Sequence, residues 1–329
     1  MRLTASPGCK EQWHPPRGYP NMMPVQQVND VIDQVTNALL ALQNRDGGWG
    51  AAQGRGSNTE ATALAVSALK SSAEAPADRL LRGTIWLTER QNPNGSWRLN
   101  DAATAGSWTT ALAIITLSAF PEHQKRVLDG SRWLLSQEGS KPGILAELIL
   151  WATGRSNVNR LNNDLIGWSW VPNSFSWVEP TSYAITALKK MRSSITESNI
   201  AERIQQGEAM IYDRMCNGGG WNYGNSKVLD YALWPYPDIT AIALIALQDR
   251  AADQANQLSI QTLQKTAAET NSGLACSWAA ICLSLYGKDT TDWRRRIEKR
   301  FGETGFLGET KTLALGLIAL GGKSNPFRI

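Results

Sequence analysis

Three carboxylates stand where they could move a proton. Glu60 (NTEATA), Glu179 (WVEPTS) and Asp238 (YPDITA) each lie two residues before a threonine, at the start of an apolar stretch. A carboxyl enclosed by apolar groups keeps its proton to higher pH and can deliver it as a general acid. Aromatic residues crowd the same places. GWSWVPNSFSWVEPTSY (167–183) carries Trp168, Trp170, Phe175, Trp177 and Tyr183, and ALWPYPD (232–238) carries Trp234 and Tyr236. Aromatic faces stabilise positive charge by roughly 0.5–2 kcal/mol each, so acids among aromatics suit protonation of an apolar molecule and shielding of the resulting cation. A chemically silent reading competes: carboxylates favour helix N-termini, Asp238 suits an N-cap, and Pro180 suits a first helical position.

Other chemistries have less material. Cys9, Cys216, Cys276 and Cys282 form no CxxC, and His14 and His123 stand apart, so no metal site, cofactor or disulfide framework is expected. Asp30 and Asp33 in NDVID read as solvated residues of an outer helix, and Cys276 and Cys282 as buried core thiols. The 329 residues hold 33 Lys+Arg against 29 Asp+Glu, a net charge of +4. The densest basic cluster, Arg294–Arg296, is offset by Asp292 and Glu298, which argues against nucleic-acid binding. No apolar run is long enough to span a membrane and the first residues lack a signal-peptide core, so a cytoplasmic location is expected.

Positioning these residues falls to a repeat. Residues 43–49 (QNRDGGW) and 91–97 (QNPNGSW) share Gln, three residues, Gly, one residue, Trp. Trp49, Trp97 and Trp168 precede Glu60, Trp108 and Glu179 by 11 residues each, whereas Trp221 precedes Asp238 by 17, a six-residue insertion. The stretches that follow align without gaps: EATALAVSAL (60–69), WTTALAIITL (108–117), EPTSYAITAL (179–188) and DITAIALIAL (238–247), with Thr62, Thr110, Thr181 and Thr240 in register. Two more, 274–286 and 311–320, lack the Trp loop. Ala-rich helices alternate with amphipathic ones (197–215, 259–270, 291–300), which is what an inner and an outer ring require. The fold expected is an all-α (α/α)6 toroid spanning 24–329 as a single domain, after an N-terminal extension of residues 1–23. Its inner helices would bring Glu60, Trp108, Glu179 and Asp238 to one mouth. The 14 Trp, more than the 7 Tyr and 5 Phe together, divide accordingly. Trp49, Trp97, Trp168 and Trp221 close loops, Trp86, Trp133 and Trp151 read as core, and Trp108, Trp170, Trp177 and Trp234 are left for the mouth.

The Gln-xxx-Gly-x-Trp repeats and the helices behind them resemble the squalene–hopene cyclase and protein prenyltransferase superfamily, whose repeat is named the QW motif. Its Gln is expected to satisfy free N–H groups at a helix start. The resemblance implies an aromatic-lined apolar cavity, an isoprenoid-like small molecule as ligand, and cyclisation or transfer started by acid. Class II cyclases use the middle Asp of an Asp-x-Asp-Asp motif before Thr-Ala, which falls on Glu60, Asp238 and, through the repeat, Glu179. The flanking carboxylates are replaced by Asn58 and Ala61, Tyr236 and Ile239, and Trp177 and Pro180. The expected catalytic set is therefore Asp238, Glu179 and Glu60. The expected substrate-binding set is Trp108, Trp168, Trp170, Phe175, Trp177, Tyr183, Trp234 and Tyr236. No zinc set of the prenyltransferase kind is present. A partner subunit and peripheral membrane contact are compatible with the pattern. Three alternatives remain open: a non-catalytic toroid binding a lipid or a protein, a carbohydrate-active (α/α)6 enzyme with paired carboxylates, and a thioester at GCKEQ (8–12).

Overall fold

The computed structural model describes residues 25–72, 75–140, 162, 164–229, 231–321 and 324–329. GCKEQ, His14 and Trp151 therefore lie outside the described residues. The helices are α1 (Val25–Ala41), α2 (Thr59–Ser71), α3 (Ala77–Glu89), α4 (Thr109–Leu117), α5 (Gln124–Ser136), α6 (Val178–Met191), α7 (Ile200–Asp213), α8 (Pro237–Ala246), α9 (Gln254–Ala268), α10 (Gly273–Leu285), α11 (Thr291–Thr304) and α12 (Thr310–Gly321). The even-numbered helices form the inner ring: α2 packs on α4, α4 on α6, α6 on α8, α8 on α10, α10 on α12, and α12 back on α2. The odd-numbered helices pack outside them. The described residues form an all-α toroid of six helical hairpins.

Side-chain size explains which helices go inside. Along α2 all but Glu60 and Lys70 are buried, and α4 is buried from end to end. A helix covered on every face needs small or apolar residues throughout, which the Ala-rich pattern provides. Outer helices such as α3 and α5 bury one stripe and present charge outward. Asp30 and Asp33 lie exposed on α1, and Cys276 and Cys282 are buried in α10. No helix among the described residues is long and apolar enough to cross a membrane.

Each repeat is fastened by the same bonds. The backbone N–H groups of Trp49, Trp97, Trp168 and Trp221 donate to the hydroxyls of Thr62, Thr110, Thr181 and Thr240 at 2.8–2.9 Å, and each hydroxyl donates back to the same Trp carbonyl. Each indole N–H is satisfied near the end of a preceding outer helix, by the carbonyls of Leu39, Leu87, Leu134 and Ile211. The outer helices pass so close that a Cβ at Gly83, Gly130 or Gly207 would come within 2.8 Å of the rings of Trp49, Trp97 and Trp168. Glycine is tolerated mid-helix there because nothing larger fits.

Two expectations are corrected. The repeat glutamines do not serve free N–H groups at a helix start: both donate to carbonyls, and Gln91 Oε1 accepts from the Arg126 side chain. Gln43 Nε2 bonds the carbonyls of Gly47 and Arg79, and Gln91 Nε2 those of Gly95 and Arg126, so each clamps its own loop to the next outer helix. Nor is Asp238 an N-cap, although all three acids do lie in the first turn of a helix, where carboxylates are favoured. Asn58 caps α2, whereas the caps of α6 and α8, Trp177 and Tyr236, make no side-chain bond. Glu60, Glu179 and Asp238 all occupy the second helical position, and Pro180 the third of α6.

Candidate functional site

The inner-helix N-termini meet at one mouth, where backbone bonds link neighbours. Thr59 N–H donates to Leu99 O, Trp108 to Trp170, Val178 to Tyr223, and Thr310 to Ala51, the last closing the ring. The expected acids are brought together there with a residue that the sequence reading passed over. Lys311, second in α12, lies 2.8 Å from Glu60 Oε1 on the adjacent α2 and 4.0 Å from Glu179 Oε1 on α6, three helices away round the ring. The signal was present: KTLALGLIAL (311–320) aligns with EATALAVSAL (60–69), which puts Lys311 in the register of Glu60.

Glu179 is the enclosed member, 5% exposed. Its pKa is raised from 4.5 to about 7 by burial, opposed by Lys311 and helped by Glu60 and Asp238. Asp238 is half-buried and contributes through its charge. Lys311 is held more firmly protonated by Glu60, Glu179 and Glu309 despite its burial, although 24% of its side chain remains exposed and solvent screens part of the pairing. One turn below Glu179, Tyr183 is buried with no partner for its hydroxyl. Burial and the charges of Glu179, Glu60 and Asp238 push that phenol well above its ordinary range.

The aromatics separate by depth. Trp108, beside the mouth at the start of α4, stacks on Tyr183 (5.6 Å between centroids) and meets Trp170 edge-on at 5.1 Å. Tyr183 leads to Trp278 at 6.3 Å, and Trp278 to Phe327 of the C-terminal segment at 5.1 Å. Tyr183, Trp278 and Phe327 are each at most 2% exposed, so side chains fill the ring's interior along this column. The gap walled by Trp108, Trp133, Trp168 and Pro180 has a volume of about 10 Å³, room for no more than a water. Trp168 is scaffold: the Arg203 guanidinium lies 3.7 Å over its ring. Trp177 is half-buried beside Gly224. Phe175, Trp234 and Tyr236 are exposed, Trp234 to 84%, and Tyr236 packs on Tyr223 at 5.7 Å. The insertion before Asp238 contains a short hairpin, Lys227–Val228 paired with Tyr231–Ala232, whose Leu229 and Tyr231 also face solvent. An acidic mouth thus opens onto an apolar rim. No group of three metal-binding side chains occurs among the described residues.

Residues 20–107 match the squalene–hopene cyclase C-terminal domain family. Over 61 residues the chain is 46% identical to drimenyl diphosphate synthase of Streptomyces showdoensis, a stretch that is 18% of this chain and 11% of that relative. The type II terpene cyclase MstE from Scytonema superposes with a TM-score of 0.54 at 16% identity, covering 85% of this chain and 78% of that one. Residues 20–107 thus share the squalene–hopene cyclase C-terminal pattern, and the fold is one that a type II terpene cyclase also adopts. MstE is also known with its substrate geranylgeranyl dihydroxybenzoate bound, in a form sharing 17% identity at a TM-score of 0.53 and covering 84% of this chain and 78% of that one. The same toroid carries other chemistry: the GH76A α-1,6-mannanase from Salegentibacter sp. HEL1_6 superposes at a TM-score of 0.54 with 10% identity, over 89% and 98% of the two chains. In this toroid the three acids come one from each of three inner helices, α2, α6 and α8.

Proposed function

We propose that the mouth receives the apolar end of an isoprenoid-type molecule and that Glu179 protonates it to start carbocation chemistry. Glu179 carries the reading. Buried at the mouth with a pKa near 7, its carboxyl is protonated in a large fraction of molecules at neutral pH. Transfer of that proton to an alkene carbon forms a C–H bond from the π pair and leaves a cation and a glutamate. Ring closure passes the positive charge along the ligand; a C–H bond beside the cation then breaks, its electron pair becomes a new π bond, and the proton goes to water or back to the Glu179 carboxylate. Glu60 and Asp238 then act as counter-charges, and Trp108, Trp170 and Tyr236 as aromatic surfaces for the cation. Trp234 and Phe175, on the rim, offer apolar contact to the rest of the ligand. The likeness to a drimenyl diphosphate synthase makes linear isoprenoid diphosphates the first substrates to test. Three carboxylates against one lysine favour entry of the hydrocarbon tail over the diphosphate head.

The filled interior supports a second reading, a toroid that holds an apolar ligand on its rim without turnover. Incubation with linear C15 and C20 isoprenoids and their diphosphates, followed by gas chromatography–mass spectrometry, separates the two. Cyclic products that fall at least about 100-fold in Glu179→Gln are expected for an acid in that role. Thermal stabilisation by the same molecules with no product would replace catalysis by binding.

A further inference from the structure

The superfamily's acid motif supplies neighbours for its proton donor from one stretch of chain, and these are missing on both sides of Glu179. The ring supplies others. Glu179 is faced by Lys311 from α12, Glu60 from α2, Asp238 from α8, Tyr223 from the loop before α8, and Tyr183 from its own helix, while Glu309, just ahead of α12, acts on Lys311. Among these, Lys311 alone is a cation, and its position is unequal. Its ammonium makes a full-strength contact with Glu60 and stops short of hydrogen-bond distance to Glu179.

We propose that Lys311 is the positioning residue of the mouth: anchored on Glu60, it leaves Glu179 as the carboxyl free to carry and surrender a proton. The inference rests on the proton-donor reading of Glu179 but makes a claim of its own about charge. If Lys311 moved across to Glu179, the ion pair would fix that carboxyl as an acceptor. If Lys311 were absent, Glu60 and Asp238 would confront Glu179 with no cation between them, and the proton would be held too tightly to give up. Glu60 is thus the tether of the lysine as well as a counter-charge. Three helices, α2, α6 and α12, do together what a single acidic motif does in one.

Two substitutions pull in opposite directions, which a general disturbance of packing would not do. The carboxyl titration of Glu179 is read by carbon NMR on protein labelled with 13C-glutamate, its signal assigned by loss in Glu179→Gln. Lys311→Met removes the attraction, so the Glu179 midpoint moves up by about one pH unit, a tenfold tighter hold on the proton. Glu60→Gln releases Lys311 and removes a like charge, so the midpoint moves down by a similar amount. Lys311→Arg restores the charge and stays near the parent value. Movement of both in one direction, or no movement, overturns the proposal. If Lys311→Met fails to fold, Glu60→Gln decides by its sign. The readout needs no turnover: the expected shifts without any cyclic product would leave the positioning intact and remove the catalytic reading. Product formation with an unchanged titration would do the reverse.

Discussion

Glu179 sits where two demands conflict: a folded core resists a buried charge, and an acid must be able to ionise. The consequence reaches stability. A carboxyl whose pKa is raised in the folded state binds its proton more tightly there than in the unfolded chain. Its stabilising contribution is full below the ordinary value of 4.5 and is lost as pH rises through about 7. The shift corresponds to roughly 3 kcal/mol between those limits. Glu179→Gln removes the titration, so urea midpoints of the variant should be nearly level between pH 5 and pH 8 while those of the parent fall. Parallel curves for the two proteins would show that Glu179 titrates normally. The three acids were legible because the repeat put them in one register. Lys311 stood in the same register and was missed, since a lysine in a row of carboxylates gains meaning only when the ring brings α12 beside α2.

At the level of elements, the sequence announced the helices well, because burial on all faces and burial on one stripe leave different patterns. The predicted inner segment 60–69 is observed as 59–71, and 238–247 as 237–246. Hydrogen-bond direction was not legible. Gln43 and Gln91 donate to carbonyls of the following outer helix, a partner that no local pattern names. The third repeat lacks the glutamine, and Arg203 from α7 clamps the corresponding loop through the carbonyls of Ile166, Gly167 and Gln137. The threonines were visible as a column without a role, and the structure supplies it. Thr62→Val, Thr110→Val and Thr181→Val keep the shape but leave a buried Trp N–H without an acceptor. Each should cost about 1–3 kcal/mol in urea denaturation. Similar losses at all three sites would confirm the bond as a shared fastening, and a loss confined to one would reduce it to local packing.

On the scale of the whole molecule, the ring alone says little about chemistry, since a terpene cyclase and a mannanase share it. In this toroid the two ends differ. The end away from the mouth is closed by the C-terminal segment: Phe327 packs on Trp278, Gln248 Nε2 holds Phe327 O at 2.9 Å, and Lys190 Nζ holds Arg328 O at 2.7 Å. With the axis filled between Tyr183 and Phe327, the ligand proposed above would meet the protein at the acidic mouth and its apolar rim. Phe327→Ala tests that geometry from the far side. Loss of a fully buried ring should lower stability by about 3–5 kcal/mol and loosen the packing around Trp278. It should leave the Glu179 titration and any isoprenoid-induced thermal shift unchanged, because neither depends on the closed end. Loss of the ligand's thermal shift in Phe327→Ala, with the Glu179 titration intact, would mean that the ligand occupies the axis and displaces the aromatic column on binding.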